Sequence, residues 1–118
     1  MSMLLFGYFG LLAGVSGGAL MGGFTLFKLP PPKWLPPIHG LVNLGAVFII
    51  FLGLVSSDQL LPSQLWWGLG ISVAALAGGL IFFRILYPTK PPFFLIFLHA
   101  VLAAIGITLL LPILEVAS

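Results

Sequence analysis

Two similar stretches of sequence decide the fold. Residues 30–55 are PPPKWLPPIHGLVNLGAVFIIFLGLV, and residues 91–111 are PPFFLIFLHAVLAAIGITLLL. Each begins with consecutive prolines and continues as a long apolar run. Proline lacks a backbone N–H and forces its predecessor out of the α region, so a new helix is expected to begin at each proline group. Because a helix needs about 20 apolar residues to cross a bilayer, both stretches are predicted to be transmembrane helices.

Two more apolar stretches complete the set, one from about Met3 to Phe27 and one from roughly Gln64 to Leu86. Of the 118 residues, 61% are apolar and 5% are charged. So few charges cannot cover a soluble domain, and most of the surface is therefore expected to contact lipid. The sequence predicts an all-α integral membrane protein with four transmembrane helices. The second span is expected from Pro36 or Pro37 to about Val55, and the fourth to about Leu111.

The first stretch is expected to be a retained helix, because it is too long for a signal peptide and no basic residue precedes it. The chain has no cysteine, which excludes disulfides, thiolate metal sites and cysteine nucleophiles.

An internal repeat appears when the sequence is shifted against itself by 60 positions. Two uncommon features match in register, because the double proline Pro31-Pro32 aligns with Pro91-Pro92 and His39 aligns with His99. The prediction is one transmembrane domain made of two parallel-repeat helical hairpins, repeat 1 at about 3–55 and repeat 2 at about 64–114. Such repeats are related by a pseudo-two-fold axis along the membrane normal, so equivalent residues can face each other.

The charges sort by connection. The basic residues lie at the first and third connections, whereas Asp58 and Glu115 fall on the opposite side; the basic residues are Lys28, Lys33, Arg84 and Lys90. The positive-inside rule then predicts an inner or plasma membrane protein with both termini on the non-cytoplasmic side. The net charge of +2 is explained by this topology, so nucleic acid is not an expected partner. Interfacial aromatic residues are expected at both membrane faces, with Tyr8, Trp66 and Trp67 on the acidic side.

Small residues recur every fourth position in the first helix and at the same spacing in the third. Glycines at this spacing let a neighbouring helix approach closely, and van der Waals packing is a main force between helices in lipid. Helix packing within the bundle is the prediction, with a flat cofactor or a neighbouring subunit as the alternative. The glycines concerned are Gly10, Gly14, Gly18, Gly22, Gly70 and Gly78.

His39 and His99 are the only histidines, and both fall inside predicted spans. Ionisable residues within a membrane usually face the protein interior and mark function. Two imidazoles facing each other across a pseudo-two-fold axis are suited to axial ligation of one metal porphyrin. Asn43 lies four residues after His39 on the same helical face and is included in the expected cofactor site. The prediction is a small electron-transfer subunit with one haem b held by His39 and His99.

The depths of the two histidines are expected to differ. If the second helix begins at Pro36, His39 lies about 4.5 Å along it, whereas His99 lies about 12 Å beyond Pro91.

Other interpretations remain open. Each histidine could donate a structural hydrogen bond, ligate a separate chlorophyll-type pigment or relay a proton. The chain could instead be a cofactor-free accessory subunit that packs against a larger respiratory or photosynthetic complex, or form a homodimer. A small transporter is a third hypothesis, which the scarcity of polar residues in the spans disfavours. Catalysis is not expected, because no nucleophile–base pair occurs in the spans.

Overall fold

A computed structural model describes residues 2–116, which form helices and connections without any strand. The helices are α1 Met3–Leu26, α2 Leu35–Val55, α3 Ser63–Leu80, α4 Phe93–Leu109 and the short α5 Ile113–Val116. A π-helical segment, Ile81–Leu86, continues α3 without a break. With that segment included, four helices are long and apolar enough to cross a membrane. The four predicted helices are confirmed in number, and their ends agree with the prediction to within a few residues.

Local chemistry explains where the helices begin and end. The Ser2 hydroxyl caps α1 by accepting a hydrogen bond from the Leu5 N–H at 3.1 Å. Prolines occupy the first turn of α2 and directly precede α3 and α4, positions where a missing N–H costs nothing. At the end of α1, Lys28 takes a left-handed φ of 56° and the Leu29 N–H reaches back to the Phe24 carbonyl at 2.8 Å. This is the backbone pattern of a Schellman C-cap.

The helices pack in a ring in chain order. The most extensive contacts join α1 with α2 and α3 with α4, so the chain forms two helical hairpins: hairpin 1 is α1 with α2, and hairpin 2 is α3 with α4. The hairpins meet through α2 against α3 and through α1 against α4, and α5 packs on α1. The molecule is elongated, with principal extents of 46 × 22 × 20 Å.

The hydrophobic core lies at the end of the bundle that holds the acidic residues. It combines the beginnings of α1 and α3, the ends of α2 and α4, and α5. Tyr8 belongs to this core with 2% of its surface exposed, so its predicted place in an interfacial aromatic belt is wrong. Trp66 and Trp67 remain exposed, as such a belt requires. The fully buried side chains of the core include Ile50, Leu65, Leu110 and Ile113.

Beyond the histidines, towards the basic connections, the bundle is much more open. Of the hydrophobic side chains in residues 2–116, only Leu35 and Leu95 are buried at that end. Leu35 packs near Gly17 of α1, and Leu95 is its counterpart 60 positions later. Each hairpin is therefore held together at this end, while the core that joins the hairpins lies at the other.

Candidate functional site

His39 is anchored to the neighbouring helix of its own hairpin. It lies one turn into α2, and its Nδ1 is 2.7 Å from the Gly14 carbonyl oxygen of α1. A carbonyl can only accept a hydrogen bond, so this contact assigns the proton to Nδ1. The other ring nitrogen, Nε2, then carries the free lone pair. This is the tautomer in which an imidazole can bind a metal through Nε2.

Asn43 is buried and supports the same histidine from one turn away. Its Nδ2 donates to the His39 carbonyl oxygen at 2.7 Å and lies 3.1 Å from His39 Nδ1. Because Nδ1 already carries a proton, the bond to the carbonyl is the productive one. The Asn43 amide also lies against Gly14, where an added Cβ would come within 2.6 Å of Asn43 Cγ. Asn43 therefore points inward, and it fills the space that the absent side chain of Gly14 leaves.

His99 occupies the equivalent place in hairpin 2 but has weaker polar support. It lies six residues into α4, beside the Ala75 carbonyl of α3, which interacts with its ring. That contact does not reach hydrogen-bond geometry, and His99 Nδ1 is buried without a partner among residues 2–116. The Phe83 ring packs against the imidazole in an edge-to-face arrangement, with centroids 5.3 Å apart and planes at 87°.

The structure brings the two histidines together. Their ring centroids are 6.4 Å apart and their planes meet at 78°. Counted from the helix starts, His39 lies about 6 Å and His99 about 9 Å along its helix. The large difference in depth that the sequence suggested is therefore reduced, because α2 begins before its two prolines and α4 begins only after Pro92.

Glycines allow each imidazole ring to lie close to the first helix of its own hairpin. A Cβ atom built on Gly18 would lie 2.8 Å from His39 Cε1, and one on Gly79 would lie 2.8 Å from His99 Cε1. Gly18 and Gly79 are 61 positions apart, although the histidines are 60 apart. The 60-residue alignment pairs Gly18 with Gly78, whereas the contacts pair it with Gly79. The stretch from Gly79 to Pro91 in hairpin 2 is thus one residue shorter than the stretch from Gly18 to Pro31 in hairpin 1. The π segment lies between Gly79 and Pro91.

The other predicted glycines have different environments. Gly10 faces Ala46 of α2, where an added Cβ would come 3.3 Å from the alanine methyl. Gly22 and Gly70 have no atom within 4 Å of such a Cβ in the described part of the chain, and Gly78 faces only Phe82 of its own helix run. Close approaches that the spacing did not single out occur elsewhere; they involve Gly7, Gly53, Gly68, Gly79 and Gly106.

These additional glycines repeat the offset found at the histidines. Gly7 packs against Ile50 in hairpin 1, and Gly68 packs against Leu110 in hairpin 2. The first helices of the hairpins therefore correspond at 61 positions and the second helices at 60. The spacing of glycines within one helix does not indicate these contacts. Pairs of a glycine on one helix and a bulky residue on the other helix of the same hairpin would indicate them.

One buried polar group was missed by the sequence argument. The Ser72 hydroxyl of α3 lies against Gly106 of α4 and has no hydrogen-bond partner within residues 2–116. Ser72 corresponds to Leu11 of α1, so it is a polar group that hairpin 1 lacks.

The available ligands limit what the site can bind. Within the described range 2–116, no cluster of three or more histidine, cysteine or carboxylate side chains could enclose a metal ion. The two imidazoles supply two nitrogen ligands and no charge. They suit a metal whose remaining ligands come from another molecule, as a porphyrin provides.

Comparison with protein-family models, curated proteins and solved structures finds no match to this chain. Its functional interpretation therefore depends on the residues described above.

Proposed function

We propose that this chain is a membrane-embedded haem protein of the electron-transfer type, with His39 and His99 as the two axial ligands of one haem b. The observation that carries the proposal is the 6.4 Å separation of the two imidazole centroids. Two metal–nitrogen bonds of about 2 Å, with half an imidazole ring at each end, require a separation of about 6 Å. The separation of the two centroids is therefore close to the one that two imidazole ligands of a single metal require.

The surroundings of the histidines favour a flat apolar ligand over a bare ion. A bare ion would need further protein ligands, which the described residues do not offer around these rings. The hairpins share little buried surface beyond the histidines, and Gly22 has open space around it within the described residues. A macrocycle lying between the hairpins would cover apolar surface there, which favours binding by the hydrophobic effect.

The protein's own groups have distinct roles in this proposal. The Gly14 carbonyl orients His39 and keeps the proton on Nδ1, so that Nε2 is available. Gly18 lets the His39 ring lie against α1, and Gly79 lets the His99 ring lie against α3, without steric conflict. When bound, haem supplies reversible one-electron transfer, and the apolar surroundings tune its potential.

We also propose that the four helices cross an inner or plasma membrane with both termini outside the cytoplasm. The placement of the four basic residues supports this orientation, because Lys28, Lys33 and Lys90 lie at the first and third connections and Arg84 lies in the last helical turn before the third connection. Because the chain has no cysteine, Lys33→Cys and Gln59→Cys each introduce a unique thiol. In intact cells, an impermeant maleimide is expected to label the cysteine at 59 and not that at 33. The reverse pattern would contradict the orientation.

The two hairpins are, in this proposal, copies of one unit related by an axis along the membrane normal. The matched contacts support this: Gly18 with His39 and Gly79 with His99 at one level, and Gly7 with Ile50 and Gly68 with Leu110 at another. A parallel repeat brings equivalent side chains to face each other.

An absorption spectrum of the purified protein tests the haem proposal. We expect a Soret band that shifts on reduction and a protoporphyrin haem content near one per chain. His39→Ala combined with His99→Ala is expected to abolish the band, whereas Thr108→Ala, which removes a hydroxyl bonded to its own helix, should leave it unchanged. A band that survives the double substitution, or a wild-type protein without one, would contradict the proposal. A spectrum with chlorophyll-type bands would instead support a separate pigment.

A cofactor-free accessory subunit is the second candidate. It is favoured by Gly22 and Gly70, which have no neighbour within 4 Å in residues 2–116 and could accept a helix of another subunit or a second copy. Gentle solubilisation of native membranes should then recover this chain in a larger complex, and Gly70→Leu should release it. A colourless chain that stays monomeric would exclude this alternative.

A further inference from the structure

The two histidines differ in how their Nδ1 atoms are held. His39 Nδ1 donates to the Gly14 carbonyl at 2.7 Å, whereas the buried His99 Nδ1 has only the Ala75 carbonyl beside its ring, in a contact that does not reach hydrogen-bond geometry. A hydrogen bond at this position fixes the tautomer and orientation of a metal-bound imidazole and strengthens it as a ligand. Losing such a partner typically costs 10–100-fold in metal affinity. His39 is therefore built as the stronger of the two ligands.

Two sequence differences between the hairpins accompany this asymmetry. The position of Gly14 is occupied by Ala75 in hairpin 2, and the position of Asn43 is occupied by Ala103. In hairpin 1 the Asn43 amide fits against the bare Gly14 backbone and also bonds to the His39 carbonyl. Hairpin 2 has a methyl group where Gly14 has no side chain, and it has no amide where Asn43 stands. No side chain equivalent to Asn43 therefore supports His99.

The element beside His99 is also the less regular one. Phe83, whose ring packs edge-to-face with the His99 imidazole, belongs to the π segment Ile81–Leu86. The contact between the rings is apolar and not a hydrogen bond, so it limits the position of His99 without fixing its tautomer. The corresponding position in hairpin 1 is Gly22, which has no described atom within 4 Å.

We infer that His39 is the permanent axial ligand and His99 the exchangeable one, so that a small diatomic molecule can replace His99 on the haem iron. The inference rests on the proposed function. It assigns to the site a class of ligand, the neutral diatomic gases, which would bind on the His99 side. Because Phe83 and His99 are uncharged, the side opened by displacement of His99 is suited to a neutral ligand and not to an anion.

Carbon monoxide is a suitable probe, because it binds reduced haem only at an open or exchangeable position. The haem-loaded full-length protein is purified as wild type, His39→Gly and His99→Gly, with Thr108→Ala as the control. Haem content and the carbon monoxide difference spectrum of the reduced protein are measured for each. Wild type is expected to bind carbon monoxide with displacement of one imidazole. His99→Gly should retain haem close to the wild-type level and bind the gas at least tenfold more tightly, and His39→Gly should retain at least tenfold less haem.

Two further measurements keep the test independent of folding defects. Free imidazole should restore a six-coordinate spectrum to His99→Gly more readily than it restores haem to His39→Gly. Asn43→Ala, which makes hairpin 1 resemble hairpin 2, should lower the difference in haem content between the two glycine variants.

Specific results would overturn the inference. Equal loss of haem in the two glycine variants, greater loss in His99→Gly, or a wild type that binds no carbon monoxide at saturation would each do so while leaving the proposed function intact. A wild-type protein without any Soret band would instead show that the proposed function itself has failed.

Discussion

The two hairpins use the same close helix contacts but differ in their polar atoms. In hairpin 1, Leu4 packs on Gly53, and Gly14 lies against Asn43. In hairpin 2 the positions that correspond to Gly14 and Asn43 are Ala75 and Ala103, which have no polar side-chain atom. The comparison indicates that small-residue contacts position both histidines, and that the polar groups around Gly14 determine how firmly each is held.

The largest effect is expected from filling the space beside Asn43. Gly14→Leu places a side chain where the Asn43 amide lies and separates His39 from the Gly14 carbonyl. Overpacking of this kind costs about 1–3 kcal/mol, and more where the backbone cannot move. Gly23→Leu, on the same helix but with no described atom within 4 Å, is the matched control and should be near neutral. Unfolding of purified protein in mixed micelles with increasing dodecyl sulfate would measure both; equal effects would contradict the packing at Gly14.

A smaller and more selective effect is expected from a matched pair of alanine substitutions. Gly18→Ala and Gly79→Ala place a methyl group 2.8 Å from Cε1 of His39 and of His99, respectively. Gly18→Ala pushes His39 away from the Gly14 carbonyl, so haem retention should fall about tenfold. Gly79→Ala moves a ring that has no hydrogen bond to lose within the described chain, so retention should fall less. Haem content per chain measures the difference, and a greater loss in Gly79→Ala would reverse the comparison.

The smallest effect is expected at Ser72, the polar group that hairpin 2 has and hairpin 1 lacks. Its buried hydroxyl has no hydrogen-bond partner within residues 2–116, and such groups cost about 1–3 kcal/mol. Ser72→Ala is therefore expected to stabilise the protein by about 1 kcal/mol. Ser16→Ala removes an exposed hydroxyl that bonds to its own helix and should change little. The same micelle titration measures both, and destabilisation by Ser72→Ala would show that the hydroxyl has a partner.

Much of the fold was accessible from the sequence because prolines and apolar runs determine helix ends in a direct way. The start of α1 at Met3 and the end of α2 at Val55 were predicted, as were the four spans. The π segment was not, because no residue in IFFRIL distinguishes π from α geometry. The contacts with the histidines pair Gly18 with Gly79, one residue away from the pairing with Gly78 that the 60-position shift gives. Gly78 and Gly79 are adjacent and identical, so only the contact with His99 distinguishes them.

The candidate site was predictable in its residues but not in its asymmetry. His39, His99 and Asn43 stand out because polar side chains are scarce in the spans, and the structure brings all three to one level of the bundle. The bond from His39 to the Gly14 carbonyl depends on the rotation of α1 against α2, which periodicity does not determine. The lack of support for His99 arises from two alanines, which have no distinctive pattern in an apolar sequence.

Electron paramagnetic resonance of the oxidised, purified protein tests the central claim most directly, because the iron spin state reports how many imidazoles it binds. The account predicts a low-spin ferric signal from two imidazole ligands, strongly anisotropic because the ring planes meet at 78°. Replacing His99 alone should convert it to a high-spin signal with haem retained. A wild-type signal that is high-spin, or that remains low-spin after both histidines are replaced, would contradict the account.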